Sequence, residues 1–263
     1  MTTVTKPQAF PLFESFAGGF RIFGQYWPLI MRLSFLPFAV TLLTFVGLRL
    51  FQENISLFLL PVVQIPSSFV IGILCALLLR NLLLNEHPLA VEGADKALRN
   101  RSIMEAAVAN TAVTYFFTGI YAGLLRMQAF IEKNPDAAAP YMPIGVLAMA
   151  LLLWGARWFW LHVPLALDWP IRAFYERVGR WGGSLRIFAL FGMCSLCVNF
   201  LAGVVRTIFK AAFAAVNTGF AAALDDAVLA AAALLLNLLF TTASVAAIRN
   251  MAGEKKKNES HSD

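Results

Sequence analysis

The chain reads as an all-α, polytopic membrane protein, with six transmembrane helices and amphipathic interfacial helices ahead of spans 1, 3 and 5. Three observations point there. Of the 263 residues, 59% are hydrophobic and 14% charged, with a mean hydropathy of +0.70. Soluble domains are nearer about 45–50% apolar and about 25% charged. The apolar residues gather in runs close to the roughly 20 residues that cross a bilayer. Finally, basic residues are dense in every second connection and sparse in the others.

The first element lies in residues 10–27. Phe10, Phe13, Phe16, Phe20, Phe23 and Trp27 recur there at steps of three or four, the spacing of one helical face. Glu14, Ser15, Arg21 and Gln25 make it too polar to span, so it is expected to lie in the membrane interface. Span 1 covers 28–50, with Arg32 near its inner end, from where its long side chain reaches the headgroups. Span 2 covers 57–79. Pro61 and Pro66 should bend it, and Ser67 and Ser68 can satisfy the freed backbone groups.

Residues 80–105 are polar. Asp95 and Arg99 stand one turn apart, which suits a short surface helix. Span 3 covers 106–125, and a turn centred on Asn134-Pro-Asp136 follows. Span 4 runs from 141 to about Trp160, placing Arg157 near the inner interface among Trp154, Trp158 and Trp160, an aromatic belt.

Beyond it Ile171, Phe174, Tyr175, Val178, Trp181 and Leu185 share a helical face. Arg172, Glu176 and Arg180 form i,i+4 pairs on the other. The expected interfacial anchors are Arg157, Trp158, Trp160, Arg172, Arg177, Arg180 and Trp181, with the arginines facing anionic headgroups. Span 5 covers 187–205 and span 6 covers 227–248. Asp225 and Asp226 then fall where they could cap the last helix and complement its dipole. Residues 1–250 read as a single membrane domain and 251–263 as a disordered cytoplasmic tail. The first 26 residues lack an uninterrupted apolar core, so no cleaved signal peptide is expected.

Charge sets the orientation. Of the 21 Lys and Arg, 16 fall in the N-terminal arm, the connections after spans 2 and 4, and the tail. Five fall on the opposite side. The positive-inside rule then puts both termini in the cytoplasm. The net charge of +6 is accounted for by this arrangement and implies no nucleic-acid partner.

Two amides sit deep. Asn199 and Asn237 both lie about 17–18 Å from the inner boundary, at about 1.5 Å per residue. An unpaired amide in hydrocarbon is costly, so the two are expected to meet across a helix–helix contact.

Chemistry is harder to find. Cys75, Cys194 and Cys197 all lie within apolar runs and read as buried structural thiols; Cys194-x-x-Cys197 has no second pair. His162 and Asp168 stand six residues apart across Pro164 and share no guaranteed helical face. No H-E-x-x-H, G-x-S-x-G, phosphate-loop or dinucleotide-binding string occurs. The expectation is a non-enzyme without catalytic residues, cofactor or metal.

Three strings echo one another: Pro11-Leu-Phe-Glu14, Pro88-Leu-Ala-Val-Glu92 and Pro164-Leu-Ala-Leu-Asp168, with prolines 77 and 76 residues apart. Gly18-Gly19-Phe-Arg-Ile-Phe23 and Gly182-Gly183-Ser-Leu-Arg-Ile-Phe188 echo each other too. Three repeats of an interfacial helix and a two-span hairpin would give this pattern. On Arg80-Asn-Leu-Leu-Leu-Asn-Glu-His-Pro88 and on Arg157 through Phe188, the chain resembles the YciC-type family of six-span bacterial inner-membrane proteins. It is also similar there to the membrane domain that accompanies some glycerophosphodiester phosphodiesterases. The resemblance implies a multi-pass protein of the bacterial inner membrane, concerned with the envelope, and carries over no site residue and no phosphodiesterase activity. An envelope or lipid-associated scaffold is the leading expectation, with membrane lipids as partners and a second copy or another membrane protein beside it. The alternative is a small-molecule or lipid transporter, with the bent span 2 and the Asn199/Asn237 level lining a cavity.

Overall fold

A computed structural model describes residues 10–51, 59–88, 95–134, 138–179, 181–213 and 218–259. Among these residues there is no strand. The helices are α1 (Leu12–Gln25), α2 (Trp27–Phe51), α3 (Leu60–Val63), α4 (Ile65–Leu84) and α5 (Asp95–Lys133). They are followed by α6 (Ala138–Gly155), a 3-10 turn (Ala156–Trp160), α7 (His162–Ala166), α8 (Ile171–Val178), α9 (Trp181–Phe213) and α10 (Thr218–Glu259). Six segments are long and apolar enough to cross a membrane: Trp27–Phe51, Ile65–Leu84, Lys96–Lys133, Tyr141–Ala166, Trp181–Phe213 and Gly219–Ala252. The chain is an all-α, multi-pass membrane protein.

Helix α10 is the hub, packing against α1, α2, α4 and α9. Its second half runs Thr241-Thr-Ala-Ser-Val-Ala-Ala-Ile248, and every one of these residues is buried. Lipid tails are as apolar as leucine, so helices in a membrane gain little from hiding hydrocarbon and associate instead through close packing of small residues. Thr241, Thr242 and Ser244 return their hydroxyls to carbonyls of α10 itself, so no buried hydroxyl is left unpaired along this stretch.

Helix α1 lies along α10 by the same logic. It buries Ser15, Gly19 and Ile22. A Cβ on Gly19 would stand 2.7 Å from the Ala243 backbone, so only glycine permits the approach. The aromatic stripe divides: Phe10 is buried against Trp160, with ring centroids 5.4 Å apart, whereas Phe13, Phe20 and Trp27 are exposed. Helix α8, ahead of span 5, buries Phe174 and Val178 and exposes Arg172 and Arg177. Ahead of span 3 no break separates a surface helix from the span, because α5 is continuous from Asp95. Helix α10 likewise runs to Glu259, beyond the boundary at 250 that the sequence suggested.

The prolines in span 2 break it. Gln64 is a turn between α3 and α4, and Pro66 occupies the first turn of α4, where its missing N–H costs nothing. Ser67 donates its hydroxyl to the Gln64 carbonyl at 3.0 Å, and Asn110 donates to the Ser68 carbonyl at 3.0 Å. The break moves the span from 57–79 to Ile65–Leu84. That shift draws Arg80 into the helix.

Candidate functional site

At the bundle end where α4 and α7 finish and α5 begins, the structure gathers an ionic cluster. Arg80, only 6% exposed, lies in the last turn but one of α4. Asn85 ends that helix in the left-handed region at φ 56°, a conformation asparagine tolerates well. The reversal brings Glu86 back over Arg80, and the two form a two-bond fork: Nε to Oε2 at 2.7 Å and Nη2 to Oε1 at 2.7 Å. Asn81 secures the same turn by donating to the Glu86 carbonyl at 3.0 Å.

The second arm of the guanidinium crosses to α7. Arg80 Nη1 donates to the Ala166 carbonyl at 2.7 Å and to Asp168 Oδ2 at 2.9 Å. Asp168 also has positive φ, 56°, in the turn after α7. Its Oδ1 accepts from the Ser102 hydroxyl of α5 in a very short hydrogen bond. Arg99, one turn before Ser102, is also buried; it donates to the Pro88 carbonyl at 2.8 Å, and its Nε stands 3.4 Å from Glu86 Oε2. Arg249 of α10 donates to the Leu82 carbonyl at 2.6 Å, meeting one of the carbonyls that the end of α4 leaves free.

Four elements are therefore tied at one end by two carboxylates and three arginines. Hydrogen bonding and charge from Arg80 hold the Glu86 carboxyl below the usual glutamate range, against the opposing effect of burial. Each arginine here spends donors on the carbonyl of a helix end or turn, so the cluster works as a clasp between elements.

The far end carries simpler ion pairs. Arg49, in the last turn of α2, reaches Asp226 at 2.6 Å. Arg206 of α9 grips Asp225 through two bonds of 2.5 and 2.7 Å. The expected capping role for Asp225 and Asp226 is thereby corrected. Helix α10 starts at Thr218, so both aspartates lie past its first turn, where free N–H groups have run out.

The expected Asn199–Asn237 pair does not form. Asn199 donates to the carbonyl and hydroxyl of Ser195, both at 2.9 Å, and Asn237 donates to the Ala233 carbonyl at 2.8 Å. Both amides turn back on their own helices, and Asn199 faces outward. Equal depth fixed their height but not the direction each one faces.

The expected anchors also separate. Arg172, Arg177 and Trp181 are exposed, as an interfacial position requires. Arg157 lies 4.4 Å from the centroid of the Trp154 ring, a cation–π contact, and Trp158 packs edge-on to Phe116. Arg180 lies outside the described residues. Trp160 is corrected: it is fully buried and donates its indole N–H to Ser244 at 2.8 Å. The 3-10 turn at Ala156–Trp160 winds more tightly than an α-helix and rotates this ring into the core.

His162 is buried, and its Nε2 has no hydrogen-bond partner among the described residues. Tyr175 donates its hydroxyl to the Arg157 carbonyl at 3.2 Å, and burial pushes its phenol well up. Cys75 and Cys194 are buried but Cys197 is exposed, which corrects its expected burial. Among the described residues no three His, Cys, Asp or Glu gather as metal ligands would. A groove of about 650 Å³ opens between α5 and α6, lined by Met127, Ile131, Tyr141, Met142, Met149 and their apolar neighbours. The chain matches no family model, no curated protein and no solved structure.

Proposed function

We propose that the chain is a non-enzymatic, lipid-associated scaffold of the bacterial inner membrane, with both termini in the cytoplasm. The observation that supports this reading is a division among the arginines at one end of the bundle. Arg80 and Arg99 are buried and engaged by protein groups. Arg21, Arg32, Arg172 and Arg177 are exposed on α1, α2 and α8. The first set fixes the hairpins relative to one another; the second, in which Arg172 also pairs with Glu176 at 3.0 Å, is exposed to anionic headgroups. The charge bias between the two sides favours the cytoplasm as the location of this end. The likeness of the Arg80–Pro88 and Arg157–Phe188 strings to six-span inner-membrane proteins favours the same setting.

A lipid transporter is the second reading, favoured by the open, largely apolar groove between α5 and α6, whose lining suits an acyl chain. Native mass spectrometry of the protein extracted with its own lipids distinguishes them. A scaffold retains several anionic phospholipids and loses them when Arg21, Arg172 and Arg177 become glutamine. One stoichiometric lipid or small molecule, unaffected by those substitutions, would overturn the scaffold reading.

A further inference from the structure

The middle of α9 carries a half-buried Ser195 and an exposed Asn199, and nothing among the described residues covers the latter. The helix buries Gly183, Ile187, Leu190, Cys194 and Val198 on one side. At about 100° per residue, Asn199 stands roughly 140° from Cys194, on the outward side. It is exposed, as are its neighbours Leu196 at 74% and Phe200 at 76%. Rises of about 1.5 Å per residue put it about 20 Å from Arg186 and about 10 Å from Arg206, well inside the hydrocarbon.

Its hydrogen bonding is half complete. Both donated bonds go to Ser195, one turn earlier. Among the described residues no donor reaches the Asn199 Oδ1, and the Ser195 hydroxyl hydrogen has no acceptor. One strong acceptor on an exposed side chain and one donor on a half-buried one are thus left beside lipid, which offers neither. Because the Asn199 side chain folds back toward Ser195, the two groups sit at nearly the same height. Gly203, a turn further on, has open space around it, so a second backbone can approach there.

We infer that this face of α9 is a homodimer contact, closed by reciprocal bonds from Ser195 of each copy to the Asn199 Oδ1 of the other. A second copy is the occupant the chemistry selects. Two copies share one orientation in the membrane, so a two-fold axis along the membrane normal brings each free donor level with the other copy's free acceptor. The inference requires only that α9 spans the membrane and is independent of the scaffold reading.

The test is dimerisation in phospholipid vesicles, read by energy transfer between labelled copies over a dilution series. The wild-type chain dimerises, and Asn199→Leu or Ser195→Ala, each of which removes both reciprocal bonds, weakens the dimer by about eightfold to three-hundredfold, twice the free energy of one interhelical bond in membranes. Leu43→Ala, a change at an exposed position on α2, leaves it unaltered. A second readout does not depend on the polar substitutions. In a Cys197→Ser background, Gly203→Cys copies cross-link under oxidant much faster than Leu43→Cys copies. A monomeric wild-type chain, a dimer indifferent to Asn199→Leu, or equal cross-linking at 203 and 43 would overturn the inference.

Discussion

Arg80 and Asp168, 88 positions apart, are joined by a 2.9 Å ion pair at the end of the helix bundle. With Glu86 on its other side, Arg80 is, among the described residues, the one guanidinium that bridges α4 and the α7 turn. Replacing it with methionine leaves two carboxylates without their main partner. Both still touch water, with side chains 28% and 43% exposed. The cost should therefore be about 2–3 kcal/mol, below the roughly 3–5 of a fully buried pair. Unfolding of the Arg80→Met protein in mixed micelles measures it. Stability within about 0.5 kcal/mol of wild type, an ordinary surface effect, would mean the clasp contributes little.

The same cluster sets a pH dependence. Glu86 titrates below its ordinary 4.5 when folded, because Arg80 favours the carboxylate. A group depressed in this way stabilises above its unfolded value, and the contribution fades as pH falls through the folded value. The melting temperature of wild type should exceed that of Glu86→Gln by a constant margin above about pH 5.5. That margin should shrink steadily below 4.5. A margin that widened in acid would reverse the sign of the argument.

The paired glycines before span 5 differ in what they tolerate. Gly182 has nothing within 4 Å of a Cβ position, while a Cβ on Gly183 would collide with the Val178 carbonyl. Alanine at 182 should be neutral or stabilise by about 0.5–1 kcal/mol, since it removes backbone freedom from a helix. Alanine at 183 should destabilise by more than about 1 kcal/mol and loosen the joint between α8 and α9. Thermal unfolding of the two single variants separates these outcomes.

The two glycine pairs also show how far the strings could be read. Gly19 faces Ala243 of α10 and Gly183 faces Val178 just before it, so the matched strings meet different neighbours. Hydropathy located six spans because length and apolarity are properties of a single segment. The link from Arg80 to Asp168 is a property of two segments, and the shift of span 2 that buries Arg80 depends on Pro66 starting a new helix at Ile65. Even so, both residues lie in the strings that carry the family resemblance, Arg80–Pro88 and Arg157–Phe188. The direction Asn199 faces was legible in principle. Counting from Cys194 places it opposite the buried face, a step that depth alone omits. Trp160 could not be placed from spacing, because the 3-10 turn breaks the helical count there.

The orientation of the bundle is what joins the clasp, the exposed arginines and the proposed lipid contact into one account. It is tested most directly by labelling single cysteines with a membrane-impermeant maleimide in spheroplasts, in a Cys197→Ser background. Lys133→Cys, at the end of α5, is expected to label on intact spheroplasts. Arg177→Cys, on α8, is expected to label only after the membrane is opened. Immediate labelling at 177, with protection at 133, would contradict the account.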